Sequence, residues 1–222
     1  MKELKLLFKR ELAGGRSLID SGLMFGFFAS LIVVIYSAIS QGELEPTEKI
    51  FACINLIWLI LPLAATVCSF KLFEDDLASG ALYGLLEDGF KGWQIFFVKA
   101  SLSAIFTIIA FFISLLGLFL LLNLESTLLT PLLFYSCIVG AIGIAVLTSL
   151  VAPLVLTSSP RGAFLPMIEL PFLLPLIIAG AEASKSSLSN LTNNLLMIQI
   201  LIIITIVYFL LGIILFKYVV NE

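Results

Sequence analysis

The side chains able to do chemistry in this chain are few, and their positions matter more than their number. Glu169 stands inside an apolar run, Phe164-Leu-Pro-Met-Ile-Glu-Leu-Pro-Phe-Leu-Leu-Pro175. A charged carboxylate facing lipid costs several kcal/mol, so Glu169 is expected to face a bundle interior, a partner or a polar cavity. Two roles fit that position. It is a substrate-path or switch residue, or it satisfies donors freed by the neighbouring prolines and lies shallower than its number implies. A second concentration of acids, Glu74, Asp75, Asp76, Glu87 and Asp88, falls in the polar stretch Lys71–Trp93. The cysteines are Cys53, Cys68 and Cys137, with no CxxC spacing, and they read as small buried hydrophobes rather than a disulfide or thiolate metal set.

Several chemistries are excluded. The chain has no histidine, which removes imidazole acid–base catalysis and imidazole ligation of zinc or haem iron. No GxxxxGK[ST] sequence occurs, so no conventional ATP-binding loop can form. No pair of membrane-embedded carboxylates is visible. The net charge is -3, with no concentrated basic face to hold a phosphate backbone, which argues against nucleic acid. The chain is not expected to be an enzyme or to bind a cofactor or metal itself.

The elements that must carry these residues are apolar helices. Of 222 residues, 61% are hydrophobic and 12% charged, against roughly 45–50% and 25% in soluble domains. A soluble core cannot absorb that excess, whereas a bilayer can. Six stretches are predicted to span, near Leu23–Ser40, Ile50–Phe70, Gln94–Leu122, Leu128–Leu156, Ala163–Ala181 and Asn194–Phe216. Pro62, Pro131, Pro153, Pro166, Pro171 and Pro175 lie in or beside them. The last three make the fifth span the one expected to break or bend.

Charge gives direction. Lys2, Lys5, Lys9, Arg10, Arg16, Lys71, Lys91, Lys99, Arg161 and Lys217 fall in alternate polar stretches, and only Lys49 and Lys185 fall in the others. The positive-inside rule then puts both termini on the cytoplasmic side, with short far-side loops at Gln41–Lys49, Asn123–Thr127 and Glu182–Asn193. No cleaved targeting segment is expected. Residues 1–17 read as an interfacial helix, with Leu4, Leu7, Phe8 and Leu12 on one face, lysines between them, and Gly14-Gly15 to end it. It is either an anchor alone or something more. Within Lys71–Trp93, Glu74, Asp75 and Asp76 are expected to cap a short helix through Leu77, Leu82 and Leu85. Such a helix would offer Leu82, Tyr83 and Leu86 to a cytoplasmic partner, the alternative being a solvated turn. Asn55, Thr66, Ser69, Thr148 and Ser149 read as helix-packing groups.

Two blocks carry a resemblance. Lys71-Leu-Phe-Glu-Asp-Asp-Leu-Ala-Ser-Gly-Ala-Leu-Tyr-Gly-Leu-Leu86 is similar to the cytoplasmic loop of the haem exporter protein B family, CcmB. Pro160-Arg-Gly-Ala-Phe-Leu-Pro-Met-Ile-Glu-Leu-Pro-Phe-Leu-Leu-Pro-Leu-Ile-Ile178 resembles a second block of that family. The opening Leu-Phe-Lys-Arg-Glu-Leu and the six spans also fit, so the resemblance covers nearly the whole chain.

The resemblance implies one all-α permease domain over residues 1–222, similar to type II ABC exporters, in a bacterial inner membrane. It implies a separate CcmA-like ATPase that binds the ATP, a second copy of this chain, and CcmC-, CcmD- and CcmE-like haem-handling partners. Haem would be a passenger in c-type cytochrome biogenesis, not a bound cofactor. Phe73, Glu74, Asp75, Asp76, Leu77, Gly80, Leu82, Tyr83 and Leu85 would fall in the coupling element and Arg161 at a second ATPase contact. Glu169 with Pro166, Pro171 and Pro175 is expected to form an intramembrane polar hinge; that role rests on membrane energetics alone, because Glu169 is not matched to the family pattern. The alternatives are a permease for another small molecule or a polysaccharide, and a non-transporting scaffold of a haem-chaperone complex.

Overall fold

The computed structural model describes residues 2–13, 46–122, 130–157, 165–189 and 194–220, with a few isolated positions between 26 and 35. The expected first span, Leu23–Ser40, lies largely outside the described residues, as do Gly14, Gly15, Arg161 and most of the far-side loops. The described elements are helices: α1 (Lys2–Ala13), α2 (Pro46–Ala78), α3 (Ala81–Glu87), α4 (Gly92–Leu122), α5 (Pro131–Thr157), α6 (Leu165–Ser189) and α7 (Asn194–Val220). No strand occurs among the described residues.

Four of these helices are long and apolar enough to cross a membrane: α2 over Ile50–Ala78, α4 over Gly92–Gly117, α5 over Pro131–Leu156 and α7 over Leu195–Phe216. Each coincides with an expected span. Helix α6 also coincides with one, but it carries Glu169, Glu182 and Lys185, and it is not among those that pass on composition. The bundle is closed by α5, which packs against α2, α4, α6 and α7.

Two expectations need correction. Helix α6 is not broken, because it runs continuously from Leu165 to Ser189 with Pro171 and Pro175 inside it. A proline costs a helix one donor, and close packing on neighbouring helices compensates. Glu182–Ser189 is therefore helix rather than far-side loop. The second correction concerns Lys71–Trp93. Its first eight residues are the last turns of α2, not a loop, so Glu74, Asp75 and Asp76 end one helix instead of capping the next. The N-cap of α3 is Gly80, at φ 71°, and it makes no side-chain cap bond. Gly89, at φ 90°, turns the chain into α4. Both glycines take left-handed conformations that a side chain would strain.

The middle of the bundle is keyed by Trp58 on α2, which is 1% exposed. Its ring lies 5.2 Å from that of Phe111 on α4, and its Nε1 donates to Ser184 Oγ on α6 at 3.0 Å. Gly140 on α5 and Gly180 on α6 make room for it: a methyl group at either position would collide with the indole. Toward the other end, Phe73, Phe96, Phe209 and Phe216 form an aromatic cluster joining α2, α4 and α7.

Candidate functional site: a charge cluster and the polar chain beneath it

Three acids in the final turns of a helix face the negative end of its dipole, an unfavourable place for them. Each of the two that the chain pairs is compensated by a cation. Glu74 takes Lys71 Nζ at 2.9 Å on the surface. Asp76 is drawn inward, where Lys99 Nζ of α4 lies 2.8 Å from Oδ2 and Arg10 Nη2 of α1 lies 2.9 Å from Oδ1. Lys99 Nζ also reaches Glu11 Oε2 at 3.5 Å. Arg10 in turn meets Glu11 Oε1 at 3.3 Å. Two cations and two carboxylates from three helices thus form one closed network.

Lys99 is its centre. Its side chain is 1% exposed. It donates to the Leu72 carbonyl oxygen at 2.6 Å and sits 4.9 Å over the centre of the Phe73 ring. Its approach to Asp76 Oδ2 falls outside hydrogen-bond alignment, so that contact is ionic. Removing one member of a buried pair leaves the other charge uncompensated, which is the costly case. The network therefore binds α1 to the ends of α2 and α4. Helix α1 also contributes Leu7, buried, and Leu4 and Phe8, packed against the core, while Lys5 and Lys9 stay exposed.

The short helix α3 hangs between α2 and α4 by Leu82 and Leu85, both buried. Of the residues expected to meet a partner, Asp75, Gly80 and Tyr83 are exposed and Glu74 is partly exposed. Phe73, Leu82 and Leu85 turn into the bundle, Asp76 into the ion network, and Leu77 packs partly against the core. Arg161 lies outside the described residues.

Below the charge cluster a chain of hydroxyl and carboxyl groups crosses the helices. Ser69 Oγ of α2 is 2.8 Å from Thr148 Oγ1 of α5 and 3.0 Å from Ser103 Oγ of α4. One turn further, Thr66 Oγ1 hydrogen-bonds Glu169 Oε2 and lies 3.0 Å from the Pro62 carbonyl oxygen. Glu169 is 1% exposed, so it faces the interior as its energetics require. Its partner is a hydroxyl on another helix rather than a donor released by the prolines. Glu169 Oε1 and Ser149 Oγ have no hydrogen-bond partner among the described residues. Pro171 and Pro175 are exposed on α6, and Pro166 lies in its first turn, where a missing N–H costs nothing.

Lys99, Arg10 and Glu11 were not picked out from sequence as a site. A lysine six residues into an apolar run was the available signal, but its partners are 23 residues behind it and in the opening helix. Asn55, read as a packing group, is instead exposed on α2. The three cysteines are buried and form no disulfide. Among the described residues no group of His, Cys, Asp and Glu side chains is arranged to hold a metal ion.

Long apolar helices packed around a common core, with their few ionisable groups turned inward or paired, define an integral membrane protein of the multi-pass helical class. The comparison with known families makes that specific. Residues 2–220 match the CcmB protein family, and the chain belongs to it. The family is a permease-type membrane component of a haem-export ABC system. No curated protein matches the chain.

Proposed function

We propose that this chain is the membrane permease subunit of an ABC transporter that handles haem for c-type cytochrome biogenesis in a bacterial inner membrane. The observation that carries the reading is the family match over residues 2–220. The chain spans six times with both ends cytoplasmic, in the manner of type II exporters, and two copies pair around two ATPase subunits. ATP binds only to that CcmA-like partner. CcmC-, CcmD- and CcmE-like proteins complete the assembly, and haem is passenger rather than resident cofactor.

In this reading α3 is the coupling helix. Tyr83 on its outer side, Gly80 at its N-cap and Glu74 and Asp75 at the end of α2 touch the ATPase, and Arg161 makes a second contact. Phe73, Asp76, Leu77, Leu82 and Leu85 hold the inner side, so that displacement of α3 pulls on α2 and α4 together. The ATPase need only prefer one arrangement of these helices for its cycle to shift their populations. The placement of Leu82 and Leu85 in the core supports this, because a loosely attached loop would dissipate the motion. Glu169 and the prolines of α6 form the polar hinge on the other side of α2.

Deletion of the gene tests the function: mature c-type cytochromes, read by haem staining, should be lost and restored by the intact chain. Normal cytochrome maturation without the protein would sink the assignment. The contact is tested separately by Asp75→Lys with Tyr83→Asp. Undiminished ATPase co-purification at normal expression would remove α3 as the coupling element while leaving the family function standing.

A further inference from the structure

Helices α2 and α6 run antiparallel, as the pairs Thr66–Glu169 and Trp58–Ser184 show. Near the Ser184 end, Ala52, Asn55 and Leu59 of α2 and Ile178, Glu182 and Lys185 of α6 line an open trough of ≈ 550 Å³, within the range of ligand-binding cavities. Asn55 lies 21 residues before Asp76 on α2, about 30 Å along the helix from the charge cluster. The trough is therefore at the opposite end of the bundle from Lys99.

Its chemistry changes along its length. At the far end stand Asn55 on α2 with Glu182 and Lys185 on α6, the last two joined at 2.9 Å. Toward the middle the walls are apolar, with Leu59 at 55% and Ile178 at 60% exposure. Asn55 is exposed on a membrane-crossing helix, and no hydrogen bond from the described residues satisfies its amide. An amide and an ion pair on the side of a membrane bundle call for a polar neighbour. One polar end and one apolar end, side by side in a single trough, match an amphiphile lying along the helices.

The charges narrow the head group. Glu182 and Lys185 are one turn apart, so a head group of a single sign attracted by one would meet repulsion from the other. A zwitterionic head group can set its phosphate on the Lys185 side and its ammonium on the Glu182 side without adding net charge beside a pair that is already joined. We propose that the trough binds one phospholipid of the phosphoethanolamine class, from the leaflet remote from the Lys99 cluster. Its phosphate lies against Lys185 and the Asn55 amide, its ammonium against Glu182, and one acyl chain between Leu59 and Ile178.

The test uses the full chain with its co-purifying partners, reconstituted in nanodiscs of equal phosphatidylethanolamine and phosphatidylglycerol, then stripped by detergent and weighed intact by mass spectrometry. About one phosphatidylethanolamine per chain should be retained in preference to phosphatidylglycerol. Asn55→Leu combined with Lys185→Gln should reduce retention about tenfold, the loss of charge-assisted contacts. Ala52→Trp, which fills the trough and leaves the head-group residues intact, should reduce it equally, with the unfolding temperature reporting that each variant is folded. Equal retention of both lipids, or unchanged retention in folded variants, overturns the proposal. So does high-yield disulfide formation in lipid-loaded protein between Leu59→Cys of two copies, or between Leu59→Cys and a cysteine placed in residues 23–40. Those results would show the trough closed by a second copy or by the chain's own first apolar run.

Discussion

Asp76 and Glu169 are both carboxylates withdrawn from water and both touch α2, yet their surroundings are opposite. Asp76 meets two cations, Lys99 at 2.8 Å and Arg10 at 2.9 Å, supplied by two other helices. Glu169 meets one hydroxyl, that of Thr66, and its second oxygen has no hydrogen-bond partner among the described residues. The first is a clamp made of full charges, which fails when its buried cation is removed and the carboxylates are left uncompensated. The second is a contact between one hydroxyl and one carboxyl group, with no cation in it, which tolerates change in either partner better. The end of the bundle toward the proposed ATPase is thus held rigidly by ions, and the polar chain inside it is held lightly.

Breaking the clamp should have the largest effect. Lys99→Met leaves Asp76 and Glu11 facing each other without their buried cation, and about 3–5 kcal/mol of stability should be lost. Chemical unfolding in detergent measures it, and Asp76→Leu added to Lys99→Met should restore much of the loss. A double variant no better than the single would mean that the lysine acts through Leu72 and Phe73 instead. Thr66→Val comes next, at about 1–3 kcal/mol, because it strips Glu169 of the Thr66 hydroxyl.

Glu169→Gln should change stability by less than about 1 kcal/mol. The amide can donate to Thr66 while Thr66 donates to the Pro62 carbonyl, so no group loses its bond. A loss as large as that of Lys99→Met would show that Glu169 works as an ion and would erase the contrast. Arg10→Ala should be the mildest, at about 0–1 kcal/mol and diminishing with added salt, because its side chain is 38% exposed. Unfolding at low and high ionic strength would check both parts.

The spans of α2, α4, α5 and α7 were legible because a long apolar run needs no knowledge of its neighbours. The true end of α2 was not. Lys71, Glu74, Asp75 and Asp76 look like the start of a loop when read along the chain, and Lys99 and Arg10, distant in sequence, are what make Asp76 acceptable in the last turns of a helix. The inward turn of Glu169 followed from the cost of a charge in lipid, while its attachment to Thr66 depends on how α2 and α6 cross. Likewise the prolines of α6 mark weakened hydrogen bonding in any isolated helix, but packing against α2, α5 and α7 keeps this one continuous. Asn55 escaped because polarity alone does not tell which side of a helix is covered.

The indole of Trp58 has a consequence for movement. Lodged against Gly140 and Gly180, it works as a tooth between two flanks that carry no side chain to yield. Sliding α2 along its axis by a single residue, about 1.5 Å, would drive the ring toward the adjoining backbone and draw its N–H away from Ser184. At the level of Trp58, helices α2, α5 and α6 therefore move together, and α2 carries a pull from the Lys99 end to that level as a continuous helix.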